Sequence, residues 1–176
     1  MRTHLPTEHG LELRSWRVTD GPMLLSSLAP EEMQRQFGRV IDTVPVAEEW
    51  IAAGQLGWRD YAAYSWTAVA GSQVVGSATV SAVDRTHDTG WFSYWTADCA
   101  RGTGVATAAT RAVADWALSD LGLFRLELGH RTNNPASCAV ASRAGFAIEG
   151  LQRAKLRYGG ERFDVEIHSR LATDRR

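Results

Sequence analysis

The spacing of apolar and polar positions changes several times along this 176-residue chain, and each change marks an element. Leu11-Glu12-Leu13-Arg14-Ser15-Trp16 alternates as a half-buried strand does, whereas residues 1–9 carry no period and read as a frayed tail. Thr19-Asp20-Gly21-Pro22 offers a polar cap and an early proline, so a helix is predicted to run to about Leu28. Pro30-Glu31-Glu32-Met33 starts another short helical piece, and residues 46–53 form a further helix broken by Gly54 and Gly57. Residues 65–70 and 73–80 are strands joined by the two-residue turn Gly71-Ser72. A polar turn over residues 84–90 leads to an aromatic strand, Trp91-Phe92-Ser93-Tyr94-Trp95. Three strands with such short links predict an antiparallel meander.

The second half alternates helix and strand. Apolar residues at 105, 109, 112, 113, 116 and 117 share one helical face, and Gly122 supplies a left-handed stop just after Leu121. Phe124-Arg125-Leu126-Glu127-Leu128 is then a strand parallel to the one at residue 91, because a helical crossover joins them. Asn134-Pro135 begins a second helix, with Asn as cap and Pro at the first helical position; it ends at Ala144, followed by Gly145 and Phe146 as a glycine stop with its hydrophobic partner. Residues 147–158 form an extended arm, and Gly159-Gly160 turns the chain into a last strand over residues 162–171.

Between the aromatic strand and its helix lies Arg101-Gly102-Thr103-Gly104-Val105-Ala106-Thr107. Backbone N–H groups of such a turn converge with the unpaired N–H groups of the first helical turn and favour an anion there. Glycines at 102 and 104 let the anion come close because neither has a Cβ. A P-loop would require Gly-Lys-Ser/Thr, and Gly104 is followed by Val105-Ala106. A dinucleotide fingerprint would want a small third residue where Thr107 stands, and a place in the first βαβ unit. A third reading is Arg101-x-x-Gly104-x-Ala106, a coenzyme A signature of the form Q/R-x-x-G-x-G/A. A glycine turn that only starts a helix is the bland alternative.

Charge and composition narrow the field. A net charge of −1 with 22% charged residues argues against a nucleic-acid or bilayer-surface binder, and 44% hydrophobic residues suffice for one full core. With no apolar run of membrane length and no signal-peptide core, a cytoplasmic location is expected. Cys99 and Cys138 lack metal-type spacing and read as free thiols, and no metal is expected. The stretch from Gln36-Phe37-Gly38 to Trp58-Arg59-Asp60-Tyr61 is aromatic and polar; it either walls a substrate pocket or closes the core.

Four motifs occur in order: Arg-Gly-x-Gly-Val-Ala-Thr at 101–107, Asn-Asn-Pro-Ala-Ser at 133–137, Arg-Ala-Gly-Phe-x-x-Glu-Gly at 143–150, and Asp-Val-x-x-x-Ser-x-Leu at 164–171. Together they resemble the ribosomal-protein-alanine N-acetyltransferase branch of the GNAT superfamily, over roughly residues 9–172. The resemblance implies one α/β (α+β) domain with a mixed, mostly antiparallel sheet of six to seven strands and helices on both faces. It implies acetyl-CoA as donor cosubstrate, no metal, and an amine acceptor, either a peptide N-terminus or a small molecule. It leaves room for a strand-mediated homodimer.

In that resemblance the backbone from Gly102 to Thr107, with Thr103, Gly104, Val105 and Ala106 between, binds the pyrophosphate, flanked by Arg101. The main chain of Tyr94-Trp95-Thr96 pairs with the pantetheine arm and sets an N–H near the thioester carbonyl, an oxyanion-hole arrangement. Asn134 caps its helix and also contacts pantetheine. Much of the superfamily has a Tyr seven residues after that Asn as acid for the thiolate; Ala141 stands here, so the role passes to Ser137 or to water. Candidates for the base are Glu127, His130 and the strand face of Asp164, Glu166 and His168, each equally readable as an ordinary surface or core residue. Related enzymes of ribosomal-protein type carry a carboxylate on the arm, where Lys155-Leu156 stands here. Two rival readings stay open: a longer donor such as succinyl-CoA, held by Arg35, Arg39 and Arg59, and a CoA-binding or docking module without turnover.

Overall fold

The computed structural model describes residues 3–7, 10–28 and 40–174. Among them, eight strands form one sheet: β1 His4–Leu5, β2 Leu11–Ser15, β3 Tyr64–Ala70, β4 Gln73–Asp84, β5 Thr89–Thr96, β6 Arg125–Arg131, β7 Ala147–Tyr158 and β8 Glu161–Leu171. Their spatial order is β1-β2-β3-β4-β5-β6-β8-β7, with β5 and β6 parallel and every other neighbour antiparallel. The meander β3-β4-β5 and the parallel crossover into β6 are as the sequence predicts. The strand number is higher than six to seven. The tail is not frayed throughout, because Leu5 is buried in the core and β1 pairs with β2.

Among the described residues, four α-helices cover the sheet: α1 Gly21–Ser27, α2 Val44–Arg59, α3 Val105–Ser119 and α4 Pro135–Arg143. On one face, Ala109, Val113 and Trp116 of α3 and Ala141 of α4 pack with Trp66, Val80, Phe92 and Leu126 of the strands. On the other, Leu24 of α1 and Ala47 and Ile51 of α2 pack with Trp16, Val69 and Val74. β3 is therefore sandwiched, which is why six of its seven residues are buried. No described helix is long and apolar enough to cross a membrane.

The helix predicted to break at Gly54 and Gly57 runs through both. Each glycine costs about 1 kcal/mol relative to alanine, and packing at the end of α2 offsets that cost. There the Trp58 ring meets Tyr64, Trp66 and Trp116 at centroid distances of 5.3, 5.0 and 6.0 Å. Trp58 thus closes the core. The helical piece expected at Pro30-Glu31-Glu32-Met33 and the loop at Gln36-Phe37-Gly38 lie outside the described residues.

One buried ion pair fixes the turn into α1. Arg14 donates from Nη1 and Nη2 to Asp20 at 2.7 and 2.8 Å, and the Arg17 N–H donates to the same carboxylate at 2.9 Å. Both side chains are almost fully buried, at 6% and 3% exposed. The hydrogen bond to Asp20 holds the Arg14 guanidinium above its ordinary pKa against the opposing effect of burial. Asp20→Ala would leave that buried cation only the half-exposed Glu12 carboxylate at 3.8 Å and the Ser15 carbonyl, so a loss of about 3 kcal/mol is expected in urea unfolding. A loss below about 1 kcal/mol would mark the pair as no more than a surface contact.

Candidate functional site

β5 and β6 pair over only three positions, Thr89 with Arg125, Gly90 with Leu126 and Trp91 with Glu127. Beyond Trp91 the strands part. β5 remains paired to β4 as far as Thr96, and β6 to β8 as far as Arg131. The gap between them is a cleft of about 1000 Å³. Close packing sets the point of divergence. A Cβ on Gly129 would stand 2.9 Å from Val165 Cγ1 and 3.1 Å from the Trp91 ring, so only glycine lets that indole cross β6.

Phe92 and Tyr94 face α3 and α4, while Trp95 faces α1 and α2. Trp95 stacks on Trp16 at 6.5 Å, and Trp16 meets Trp50 edge-on at 5.9 Å. Of the aromatic residues before β3, then, Trp50 reaches the cleft wall through Trp16 and Trp95, whereas Trp58 belongs to the core. Arg35 and Arg39 lie outside the described residues, and Arg59 is exposed at the end of α2.

The glycine loop closes one end of the cleft. Gly102 and Gly104 take φ of +76° and +87°, left-handed conformations that favour glycine, and Gly104 caps α3 without a side chain. Ala108 N–H is the donor that meets the Gly104 carbonyl, at 3.0 Å. The N–H groups of Val105, Ala106 and Thr107 come before it and have no acceptor within the helix. Thr103 is tied locally by its hydroxyl, which donates to the Ala100 carbonyl at 2.7 Å. Arg101 lines the cleft and ion-pairs with Asp98 at 2.8 Å, both half exposed. In the β5 wall, Thr96 Oγ1 is buried without a hydrogen-bond partner among the described residues.

α4 supplies the facing wall. Asn134 Oδ1 accepts from the Ser137 N–H at 3.1 Å, which is the expected cap, and its amide nitrogen carries two further donors beside the cleft. The helix ends as a glycine stop: Gly145 N–H donates to the Ser142 carbonyl at 3.1 Å and Phe146 N–H to the Ala141 carbonyl at 3.0 Å. Phe146 then packs on Phe92 at 5.6 Å and anchors α4 to β5.

Sequence reasoning missed what Tyr94 does. Its hydroxyl lies 2.6 Å from Ser137 Oγ, across 43 positions of chain. Burial pushes the Tyr94 phenol above its ordinary pKa, outweighing the hydrogen bond with Ser137, so the phenol is protonated at neutral pH. No Tyr is present at position 141, yet a tyrosine hydroxyl reaches the same helix from β5.

The base candidates separate. Glu127 is bound by Arg125 Nε at 2.8 Å and is not among the residues lining the cleft. The same Arg125 donates to Glu149, whose carboxyl is lowered to about 2 by Arg125 first and Ser169 second. Asp164 accepts from the Ala154 N–H at 2.7 Å on the arm. His130 lines the cleft and meets Glu166 and His168 beneath α4, with Nε2 to Nε2 of 2.9 Å between the histidines. Cys138 joins them. Desolvation and the neighbouring Glu166 push its thiol up, while Glu166, despite its own desolvation, is held low by hydrogen bonds from Cys138 and His168.

This geometry can be set against known proteins. The sequence profile described as "Acetyltransferase (GNAT) domain" matches residues 10–147. "Probable N-acetyltransferase YjcK" of Bacillus subtilis is 33% identical over 86 residues, 49% of this chain; the match spans about half (48%) of that relative's length. Mycobacterium smegmatis RimJ, solved in complex with a CoA-disulfide, superposes with a TM-score of 0.85 at 23% identity, covering 96% of this chain and 86% of the other. The ribosomal-protein-S5-alanine acetyltransferase of Vibrio fischeri superposes with a TM-score of 0.86 at 17% identity, covering 98% of each chain. At those identities the two structures speak to fold alone. The profile match over most of the chain, joined to the parted strands and the glycine cradle, places this chain in the GNAT acetyltransferase family.

Proposed function

We propose that the chain transfers an acetyl group from acetyl-CoA to a primary amine, a protein N-terminus or a small-molecule amine, by direct attack within a ternary complex. The observation that carries this is the cleft beyond Trp91, which ends in a glycine cradle at the start of α3. In this reading the pyrophosphate sits on the N–H groups from Gly102 to Thr107, with Arg101 at its rim. The pantetheine arm runs as a strand along Tyr94-Trp95-Thr96 and gives the Thr96 hydroxyl a partner. Asn134 meets the arm from the opposite wall.

The amine nitrogen attacks the thioester carbonyl carbon, an N–H of the β5 edge supports the oxyanion, and the C–S bond breaks. Ser137 Oγ donates a proton to the departing sulfur and is resupplied by the Tyr94 hydroxyl, which regains its proton from water in the cleft. The ammonium proton leaves to water, since Glu127 is occupied by Arg125. The stacked Trp16 and Trp95, with Trp50 behind them, form the wall past which the amine enters. The Vibrio fischeri neighbour is by its title a ribosomal-protein-S5-alanine acetyltransferase, so a protein acceptor is the first class to assay.

Thiol release from acetyl-CoA in the presence of peptide and small-amine panels tests the reading. Release that depends on an amine, with an acetylated product by mass spectrometry, is expected; CoA binding with no acetylated product would make the chain a binding module. Ser137→Ala should lower kcat about tenfold while leaving donor Kd within about twofold. That is below the usual general-acid effect, because a thiolate of pKa about 8.5 leaves readily. An unchanged kcat would return Ser137 to a structural place in α4. Gly104→Asp sets a carboxylate against the pyrophosphate and should abolish acetyl-CoA binding while circular dichroism remains native. Full affinity in a folded variant would remove the cradle from the account.

A further inference from the structure

Four side chains beneath α4 converge in a way the transfer reaction does not require. His130 comes from β6, Cys138 from α4, and Glu166 and His168 from β8. The sheet register puts His130 directly opposite Glu166, and His168 opposite Leu128 on the same face. His130 Nε2 and His168 Nε2 are 2.9 Å apart, and Glu166 Oε1 lies 3.3 and 3.0 Å from them. With the Cys138 sulfur, the four donor atoms all fall within 4.8 Å of one another. His168 is fully buried and His130 nearly so.

We propose that His130, Cys138, Glu166 and His168 form a four-ligand site for a divalent cation of the zinc type. Two imidazole nitrogens, a carboxylate oxygen and a sulfur are the donor set that borderline-soft, four-coordinate cations select, and hard cations avoid sulfur and imidazole. Bonds of about 2.0–2.3 Å around a tetrahedral ion space its ligands by about 3.3–3.6 Å. The present separations bracket that spacing, so small side-chain shifts accommodate the ion. Carboxylate and thiolate would bring two negative charges to balance its two positive ones.

The outer contacts already suit this role. His130 Nδ1 lies 3.0 Å from the Arg131 carbonyl oxygen, which fixes its N–H there and leaves the Nε2 lone pair aimed into the cluster. His168 Nδ1 has no hydrogen-bond partner among the described residues, and close burial fixes its ring instead. Without a cation, the two Nε2 atoms and the carboxylate can share only hydrogen bonds, and only one of the two facing nitrogens can carry a proton.

Four protein ligands leave no open position, so the ion is structural and takes no part in acetyl transfer. It ties α4 to β6 and β8. Because α4 carries Asn134 and Ser137, the ion holds the facing wall of the cleft in place. Sequence spacing does not join the ligands, because positions 130, 138, 166 and 168 come from three separate elements.

The test is cobalt titration of the chelator-treated full chain, without CoA, so that it stands apart from any assay of transfer. One equivalent of Co²⁺ should produce the intense visible bands of four-coordinate cobalt with a thiolate-to-metal band in the near ultraviolet, and Zn²⁺ should displace it. Cys138→Ser, at a half-buried helix position, should fold, lose the thiolate band and bind at least tenfold more weakly. His168→Gln should also bind at least tenfold more weakly, and Zn²⁺ should raise the thermal midpoint of the native chain but not of this variant. No stoichiometric uptake, a pale six-coordinate spectrum, or a spectrum unchanged by Cys138→Ser would overturn the site.

Discussion

Backbone polar groups in the interior of a sheet are normally satisfied by a neighbour on each side, and β5 loses one neighbour after Trp91. The loss is built into the connectivity. A helical crossover makes β6 parallel to β5, the Trp91 ring seated over Gly129 marks where the two are closest, and β6 then follows β8 away. An unfilled strand edge inside a protein is a template for another extended chain. The same crossover places the start of α3, with its unpaired N–H groups, at the end of that edge. A ligand with an extended amide-bearing arm and an anionic end matches both features, which is why the donor reading follows from the sheet as much as from the glycine motif.

The two walls of the cleft are held by different physics. The β5 wall is covalently continuous with the sheet and backed by packing on both faces, Phe92 toward α3 and α4 and Trp95 toward Trp16. The α4 wall is a nine-residue helix, too short to be stable alone, and it depends on its caps and on tertiary contacts. Asn134, the glycine stop at Gly145, Phe146 on Phe92, and the Tyr94–Ser137 contact all serve that purpose. A cation under the helix would act in the same direction.

Much of the fold was legible because local chemistry and tertiary structure agree. Asn134-Pro135 and Gly145-Phe146 mark the ends of α4 by capping alone, and short links between strands dictated the antiparallel meander. Where they disagree, the sequence misleads. Gly54 and Gly57 look like breaks, yet the ring cluster around Trp58 keeps α2 continuous. Leu5 is an isolated apolar residue among polar neighbours, too little for a period, and only the β2 edge makes it a strand. The left-handed glycine loop at the start of α3 was readable because its residues are consecutive. The Tyr94–Ser137 pair and the histidine cluster were not, because their members are far apart in sequence and meet only through sheet register and helix docking. Glu127 shows the converse: alternation placed it on a strand face but could not show that Arg125 occupies it.

The central claim is that one ligand fills both the open edge of β5 and the cradle at α3. Amide hydrogen exchange of the chain with and without CoA tests it most directly. The account predicts slowed exchange in two segments at once, residues 93–96 and residues 102–107, with little change in the β3–β4 hairpin. CoA binding that protects neither segment, or protects a different face of the sheet, would contradict it.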